Sequence, residues 1–227
     1  VTTVSNACMN EINNRDILEK SILVLGNGVD VDYFQPDEKN ERYNDIILYT
    51  GRLDSRKGIM DLITCAKYVC NNKPEVKFFL TGNGPLINRI KNKIASLNLQ
   101  DNVILTGYVN RNELLRLYQK STIYVLPSYY EGLPTTLLEA MACGIPCIAT
   151  DIEGNSEVIT TEKTGFLVPP KNPEVLCKLI LDLLIDPQKR KIIGDCGRQH
   201  VIETYDWRRI ANNTANIYQS MLSNICH

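Results

Sequence analysis

Short, almost uninterrupted apolar runs alternate along this chain with stretches of helical period, and that alternation restricts the fold more than any other feature. Strands that are apolar on both faces must be covered on both, which parallel sheets achieve through the helices of βαβ crossovers. The runs predicted as strands are Ile46–Thr50, Val76–Thr81, Val103–Thr106, Thr122–Leu126, Cys147–Thr150 and Phe166–Val168. Helical stretches fall between them at Met60–Cys70, Pro85–Leu97, Glu113–Gln119, Thr136–Cys143 and Asn155–Ile159. The expected fold is α/β, a Rossmann-like doubly wound parallel sheet. From Pro173 the pattern is helical to the end, with Pro187 and Gly197 as expected breaks. Val1 to Leu25 reads as a short strand, a polar helix around Cys8–Lys20 and another strand, followed by a loop from Asn27 to Asn44. It looks like the tail of a preceding domain plus a linker. No internal repeat is visible.

A length of 227 residues allows one large core or two small ones. Hydrophobic residues at 44% and charged residues at 22% argue against disorder and low-complexity structure. Lys and Arg total 25 against 26 Asp and Glu, a net charge of -1, so no global basic field of the kind nucleic-acid binders rely on is present. Any anion site must be local, and no nucleic-acid partner is expected. The eight cysteines are scattered without a C-x-x-C pair, and only His200 and His227 accompany them. That spacing suits reduced cytosolic thiols better than a zinc site or a disulfide framework. No apolar run approaches the ~20 residues that span a bilayer, and no signal-peptide pattern opens the chain. It begins at Val1 without a methionine, which suggests a piece of something longer.

Ligands of open α/β sheets bind beyond the carboxyl ends of the strands. The loops there are Gly51-Arg52-Leu53, Gly82-Asn83-Gly84-Pro85, Gly107-Tyr108-Val109, Pro127–Gly132 and Asp151–Gly154. In the first, Arg52 leaves a strand end and Lys57 opens the next helix, with Asp54 or Ser55 as candidate cap. Two fixed cations suit a diphosphate, Arg52 as a bidentate fork and Lys57 as a point charge. The alternative is a solvated Arg and Lys on either side of a turn.

The segment Glu131-Gly132-Leu133-Pro134-Thr135-Thr136-Leu137-Leu138-Glu139 carries a second signal. Pro134 is placed as at the first helical position, leaving the N–H groups of Thr135, Thr136 and Leu137 unpaired at the positive end of a helix dipole. A phosphate fits there. Glu139 is the single charge from Thr135 to Cys143, so most of that helix should be buried and the carboxylate partnered. Beside a phosphate site it can accept from both ribose hydroxyls; the alternative is a buried ion pair with Arg52 or another base. Glu131 has the position of a sugar-hydroxyl acceptor, or of a solvated loop acid.

Gly51-Arg52-Leu53 with Lys57-Gly58, then Glu131 and Glu139 with seven residues between them, resemble the donor-binding C-terminal domain of GT-B-fold retaining glycosyltransferases of family 4 (group 1). The likeness extends over nearly the whole chain: Val4-Ser5 resembles the end of a late N-domain strand, Asn27–Asp30 with Phe34 the interdomain linker, and Tyr205–Trp207 with Tyr218 the closing helix. It implies one half of a GT-B fold with C-terminal helices. Residues 1–33 are then the tail of the N-terminal domain and linker, 34–205 the nucleotide-sugar-binding domain, and 206–227 a helix packing back toward the missing domain. By the resemblance, Arg52 and Lys57 bind the donor diphosphate and stabilise its departure. Glu131 lies near the transferred sugar's hydroxyls, and Glu139 holds the ribose. Amides of Gly132, Leu133, Thr135 and Thr136 meet sugar and phosphate, while Gly51, Gly82, Asn83, Gly84 and Val109 line the nucleotide.

The resemblance further implies a hexosyl transfer from a nucleotide-diphosphate sugar to an acceptor hydroxyl, with retention and without metal or other cofactor. The acceptor, a saccharide or lipid-linked saccharide, would be bound by the missing domain, so this piece alone is expected to be inactive and prone to self-association. A cytoplasmic location follows, with peripheral attachment to the membrane face through that domain. The rival reading is a non-catalytic nucleotide or nucleotide-sugar binding module. Asp30-Val31-Asp32 matches an acidic metal-binding pair in spacing, but it sits in the linker and is read as coincidence. Cys143 and Cys147 are read as packing, His200 as no catalytic base, and Tyr129 and Tyr130 as either packing or walls of the sugar pocket.

Overall fold

The structure, a computed structural model, describes residues 1–14, 22–37 and 46–225. A two-residue strand β1 (Thr2–Thr3) leads into helix α1 (Asn6–Asn14), and β2 (Leu23–Val24) pairs in parallel with β1. The main unit continues β3 (Ile46–Thr50), α2 (Ile59–Asn72), β4 (Lys77–Thr81), α3 (Ile87–Ser96), β5 (Val103–Gly107), α4 (Arg111–Lys120), β6 (Ile123–Leu126), α5 (Thr135–Ala142), β7 (Cys147–Thr150), α6 (Glu153–Ser156) and β8 (Phe166–Val168). Three helices close it: α7 (Pro173–Ile185), α8 (Pro187–Tyr205) and α9 (Trp207–Ile225).

The six-stranded sheet runs β5-β4-β3-β6-β7-β8 and every pairing is parallel, the expected doubly wound order. Its central strands are buried along their length: Ile47, Leu48, Tyr49, Ile123, Tyr124, Val125, Cys147 and Ile148 are inaccessible to solvent. That two-sided burial is why these strands read as unbroken apolar runs. Helix starts follow local chemistry. Asn110 and Glu113 form a reciprocal capping box that opens α4, and Asn172 and Asp186 cap α7 and α8, each followed by proline.

Two sequence expectations need correction. Helix α8 runs unbroken through Gly197: an added Cβ there would lie 2.7 Å from the Thr164 carbonyl, so this glycine permits close packing rather than a break. Helix α6 begins two residues before the expected Asn155–Ile159 and overlaps it only at Asn155 and Ser156; Val158 and Ile159, whose apolar character suggested the longer reach, are buried residues that follow the helix. The polar helix expected over Cys8–Lys20 is seen as α1, and its part beyond Asn14 lies outside the described residues, as does residue 38 onward of the Asn27–Asn44 loop.

Backbone hydrogen bonds tie an early segment of the chain to a late one. Val29 N–H donates to Tyr205 O at 2.8 Å and Trp207 N–H to Val29 O at 3.2 Å, joining the segment after β2 to the start of α9. Val29, Val31 and Phe34 belong to the main buried core. Helix α1 docks through its N-terminus, where Asn6 N–H, at 3.0 Å, and Ala7 N–H donate to the Glu157 carboxylate after α6. A carboxylate at a helix N-terminus satisfies unpaired amides and complements the helix dipole.

Candidate active site

The sheet order places its switch point between β3 and β6, and the crevice opens beyond their carboxyl ends. The loops around it are stitched together by backbone hydrogen bonds. Gly51 N–H donates to Thr81 O at 3.0 Å, Gly82 N–H to Gly107 O at 2.8 Å, and Leu53 N–H to Asn83 O at 3.0 Å. The glycine loops anticipated from sequence thus converge on one edge.

The β3 loop ends in a single tight turn, Ser55–Lys57, capped by Asp54, whose Oδ1 accepts from Arg56 N–H at 2.9 Å. Gly58 follows in the left-handed region at φ 64°, and an added Cβ would sit 1.9 Å from the Pro127 carbonyl oxygen. Only glycine lets the loops after β3 and β6 approach this closely. The contact is reinforced by Tyr129 N–H donating to Arg56 O at 2.7 Å and Tyr129 Oη to Asp61 Oδ2 at 2.7 Å. Burial first, then Asp61, pushes the Tyr129 hydroxyl up to about 12.

Those loops bring Lys57 and Glu131 into direct contact, Nζ to Oε1 at 2.6 Å, with side chains only 22% and 10% exposed. Ser128 Oγ donates to the same carboxylate oxygen at 2.6 Å. Glu131 is therefore a held acid, not a solvated one. Arg52 is the more open cation, 70% exposed, with Nε 3.8 Å from Asp54 Oδ2.

At the start of α5, Pro134 is the cap residue rather than the first helical residue. Leu137 N–H is taken by Pro134 O at 3.1 Å, so the amides left without an intrahelical partner are those of Thr135 and Thr136. Burial holds the Glu139 carboxyl above its usual range, opposed by the Tyr118 hydroxyl and the positive charge of Arg111. The carboxylate is partnered, as its burial requires, but among the described residues not through the ion pair with Arg52 or another base that was the alternative reading. Tyr118 Oη donates to Glu139 Oε2 at 2.9 Å instead.

Two cavities flank these groups. One, about 370 Å³, is lined by Thr50, Gly51, Arg52, Thr81, Gly82, Asn83, Tyr108, Val109, Leu114 and Thr136. The other, about 390 Å³, is lined by Ala7, Glu11, Asn14, Tyr129, Tyr130, Glu131, Ile152 and Glu153. The first has apolar walls, a cation and backbone at the strand ends. The second has two tyrosines and three carboxylates, with Tyr130 Oη bonded to Glu11 across it.

The Glycosyl transferases group 1 family matches residues 31–200. The chain belongs to this family. It is 32% identical over 185 residues to an uncharacterised glycosyltransferase of Methanocaldococcus jannaschii, covering 82% of this chain and 46% of that protein. It is 28% identical over 216 residues to a UDP-Gal:alpha-D-GlcNAc-diphosphoundecaprenol alpha-1,3-galactosyltransferase of Escherichia coli, covering 89% and 55%. Its fold superposes on a variant of S. aureus TarM solved with fondaparinux, alpha-GlcNAc-glycerol and UDP, at TM-score 0.86 and 26% identity, covering 96% of this chain and 43% of TarM. The architecture is thus that of one half of a GT-B glycosyltransferase. The chain spans about half the length of the curated relatives it matches.

Within this group 1 domain, Gly51, Arg52, Gly82, Asn83, Val109 and Thr136 line the first cavity, while Glu131 and the two tyrosines line the second. Gly84 is not on the cavity wall; it lies against Leu53, whose carbonyl oxygen would be 2.3 Å from an added Cβ. Leu133 packs on the core, Gly132 faces Cys8 Sγ, and Thr135 is exposed at the mouth of α5. Thr50, Thr81, Tyr108, Leu114, Tyr118, Tyr124 and Ser128 were not singled out from sequence. Thr50 and Thr81 end strands whose following glycines were, which is the signal that could have found them. Asp30 pairs with Arg111 and Asp32 with Arg208, and no cluster of metal-ligating side chains occurs among the described residues. His200 packs edge-on against Tyr205. Cys143 and Cys147 are fully buried.

Proposed function

We propose that this chain is the donor-binding half of a retaining, family 4 glycosyltransferase that moves a hexosyl group from a nucleotide-diphosphate sugar to an acceptor hydroxyl without a metal ion. One observation carries the reading. An open cation (Arg52), two unpartnered helix amides (Thr135, Thr136) and two held carboxylates (Glu131, Glu139) are grouped about one crevice beside a cavity with apolar walls.

Each part has a matching task. The apolar walls at Val109 and Leu114 suit a nucleobase, and Glu139 suits ribose hydroxyls. The diphosphate takes Arg52 and the α5 amides, where the helix dipole favours an anion. An ammonium has three donors, so Lys57 can keep Glu131 and also meet the diphosphate. When the bond between the anomeric carbon and the diphosphate oxygen breaks, the electron pair leaves with the diphosphate. Fixed cations beside that oxygen stabilise the charge with no reorganisation, the role a metal ion would otherwise fill. Glu131, held by Lys57 and Ser128, is oriented to accept from a sugar hydroxyl.

The acceptor, a saccharide or lipid-linked saccharide, is assigned to the remainder of the full-length protein, in keeping with the name of the E. coli relative. Trp207, Tyr218, Met221 and Leu222 on α9 are exposed apolar groups suited to packing on that remainder, and they favour self-association without it. This half alone therefore binds donor and transfers nothing. A cytoplasmic location, peripheral to the membrane, accords with the thiol state of the described cysteines. No helix of the described residues is long and apolar enough to cross a membrane.

A thermal-shift panel of UDP, ADP, GDP, their glucose derivatives and the bare nucleosides tests the assignment. One diphosphate should stabilise the domain by about 2.7 kcal/mol at 100 times its Kd, well above its nucleoside. No response to any diphosphate would overturn it.

A further inference from the structure

Beneath the first cavity lies a hydroxyl network with no counterpart in the assignments above. Tyr118 is fully buried in α4, yet its hydroxyl sits 2.9 Å from Thr50 Oγ1, 2.9 Å from Glu139 Oε2 and 3.2 Å from the Thr136 carbonyl. Tyr124, equally buried in β6, donates to Thr136 Oγ1 at 2.9 Å and lies 3.4 Å from Thr50 Oγ1. Four hydroxyls from β3, α4, β6 and α5 thus converge under the carboxylate.

Proton counting gives the network a direction. A tyrosine hydroxyl has one proton, and the strongest acceptor within reach is the Glu139 carboxylate. Tyr118 then accepts from Thr50, whose proton is committed inward. Thr136 Oγ1 accepts from Tyr124, so its own proton is available to the cavity that Thr136 lines. The network presents an acceptor at Glu139 and a donor at Thr136. A ligand with hydroxyls beside an anionic group, such as the ribose end of a nucleoside diphosphate, is read by that polarity.

We infer that Tyr118 is a positioning residue for nucleotide recognition: its hydroxyl fixes the rotamer of Glu139 and keeps one carboxylate oxygen occupied, leaving the other for ribose hydroxyls. Arg111, at the start of α4, is the charged group that faces Glu139 besides Tyr118, and it is itself held by Asp30 at 3.3 Å and by the Tyr33 ring at 4.0 Å. Arg111 acts on the acid through its charge, and among the described residues the hydrogen bond that orients the Glu139 carboxylate is the one from Tyr118. Tyr118 also contacts Phe34 and Tyr124 through its ring, contacts that a phenylalanine retains.

The inference rests on the proposed nucleotide site, and the experiment separates the two. Binding of UDP and of its 2′,3′-dideoxy counterpart is measured by calorimetry on wild type, Tyr118→Phe and Thr50→Val, with ADP or GDP and their dideoxy forms in place of UDP if wild type binds one of them tighter. Wild type should prefer the ribonucleotide by roughly tenfold or more, the worth of a hydrogen bond to a charged acceptor. In Tyr118→Phe that preference should fall to under about threefold while dideoxy binding is unchanged, and Thr50→Val should show a smaller loss of the same kind. A structural role alone would weaken both ligands equally, and equal losses overturn the inference. So does an undiminished preference in Tyr118→Phe. Wild type that binds no diphosphate would instead overturn the proposed function itself.

Discussion

The Lys57–Glu131 contact is the one site feature whose energy can be worked from its geometry. At 2.6 Å and an effective dielectric near 20, the gross attraction is roughly 6 kcal/mol. Removing both groups from water opposes this by several kcal/mol per ion, but the exposures of 22% and 10% leave the lysine partly hydrated. The net coupling expected is about 1 to 3 kcal/mol. Lys57→Met should cost more than the coupling, about 2 to 4 kcal/mol, since it leaves a largely buried carboxylate with Ser128 as its remaining side-chain partner among the described residues. Glu131→Gln should cost less, about 1 to 2 kcal/mol, because the amide oxygen still accepts from Ser128 and Lys57. Urea denaturation of both single variants and the double variant yields the coupling as a cycle, with an unchanged m-value as the check on two-state behaviour. A coupling below about 0.5 kcal/mol, the range of exposed pairs, would refute the claim that Lys57 holds Glu131 in place.

Gly58→Ala should destabilise by about 3 kcal/mol or more in the same assay, since it adds left-handed strain to an approach of 1.9 Å on a backbone oxygen. Glu139 makes a pH prediction. Its folded-state carboxyl is raised above the ordinary 4.5 by burial, so the stability linked to it is fully present below that value and is lost as pH rises through the folded one. Glu139→Gln should therefore make the unliganded domain at least as stable as wild type at pH 7, with wild type recovering relative to the variant as pH falls, while nucleotide affinity drops. Thermal melts across pH 4 to 8 check this, and a variant that is less stable at pH 7 but not at pH 4 would contradict it.

The sheet was legible because its central strands are buried on both faces. Ile46–Thr50, Cys147–Thr150 and Phe166–Val168 have the bounds that their apolar runs suggest. Where buried apolar residues lie outside regular structure, as at Val158 and Ile159, the same signal points to a helix in the wrong place. Gly197 shows the converse, a residue whose conformational reputation concealed a packing role. In the site, Gly51, Arg52, Gly82 and Thr136 are local signals at strand ends and a helix start. The partners of the two glutamates were not legible. Lys57 and Glu131 are 74 positions apart, and Tyr118 and Glu139 are 21 positions apart on different helices. Tyr118 in sequence is simply one more large residue on the buried side of a helix, and only the fold shows that its hydroxyl meets an acid.

The central claim is that the crevice between β3 and β6 holds a nucleoside diphosphate by its charge. Calorimetric titration of UDP and uridine, or the ADP and GDP pairs if one binds tighter, into wild type and Arg52→Ala measures this most directly. The account predicts that Arg52→Ala weakens the diphosphate about tenfold, the worth of a charge-assisted hydrogen bond, and leaves the bare nucleoside nearly unchanged. Equal weakening of the two ligands, or a diphosphate bound no tighter than its nucleoside by wild type, would contradict it.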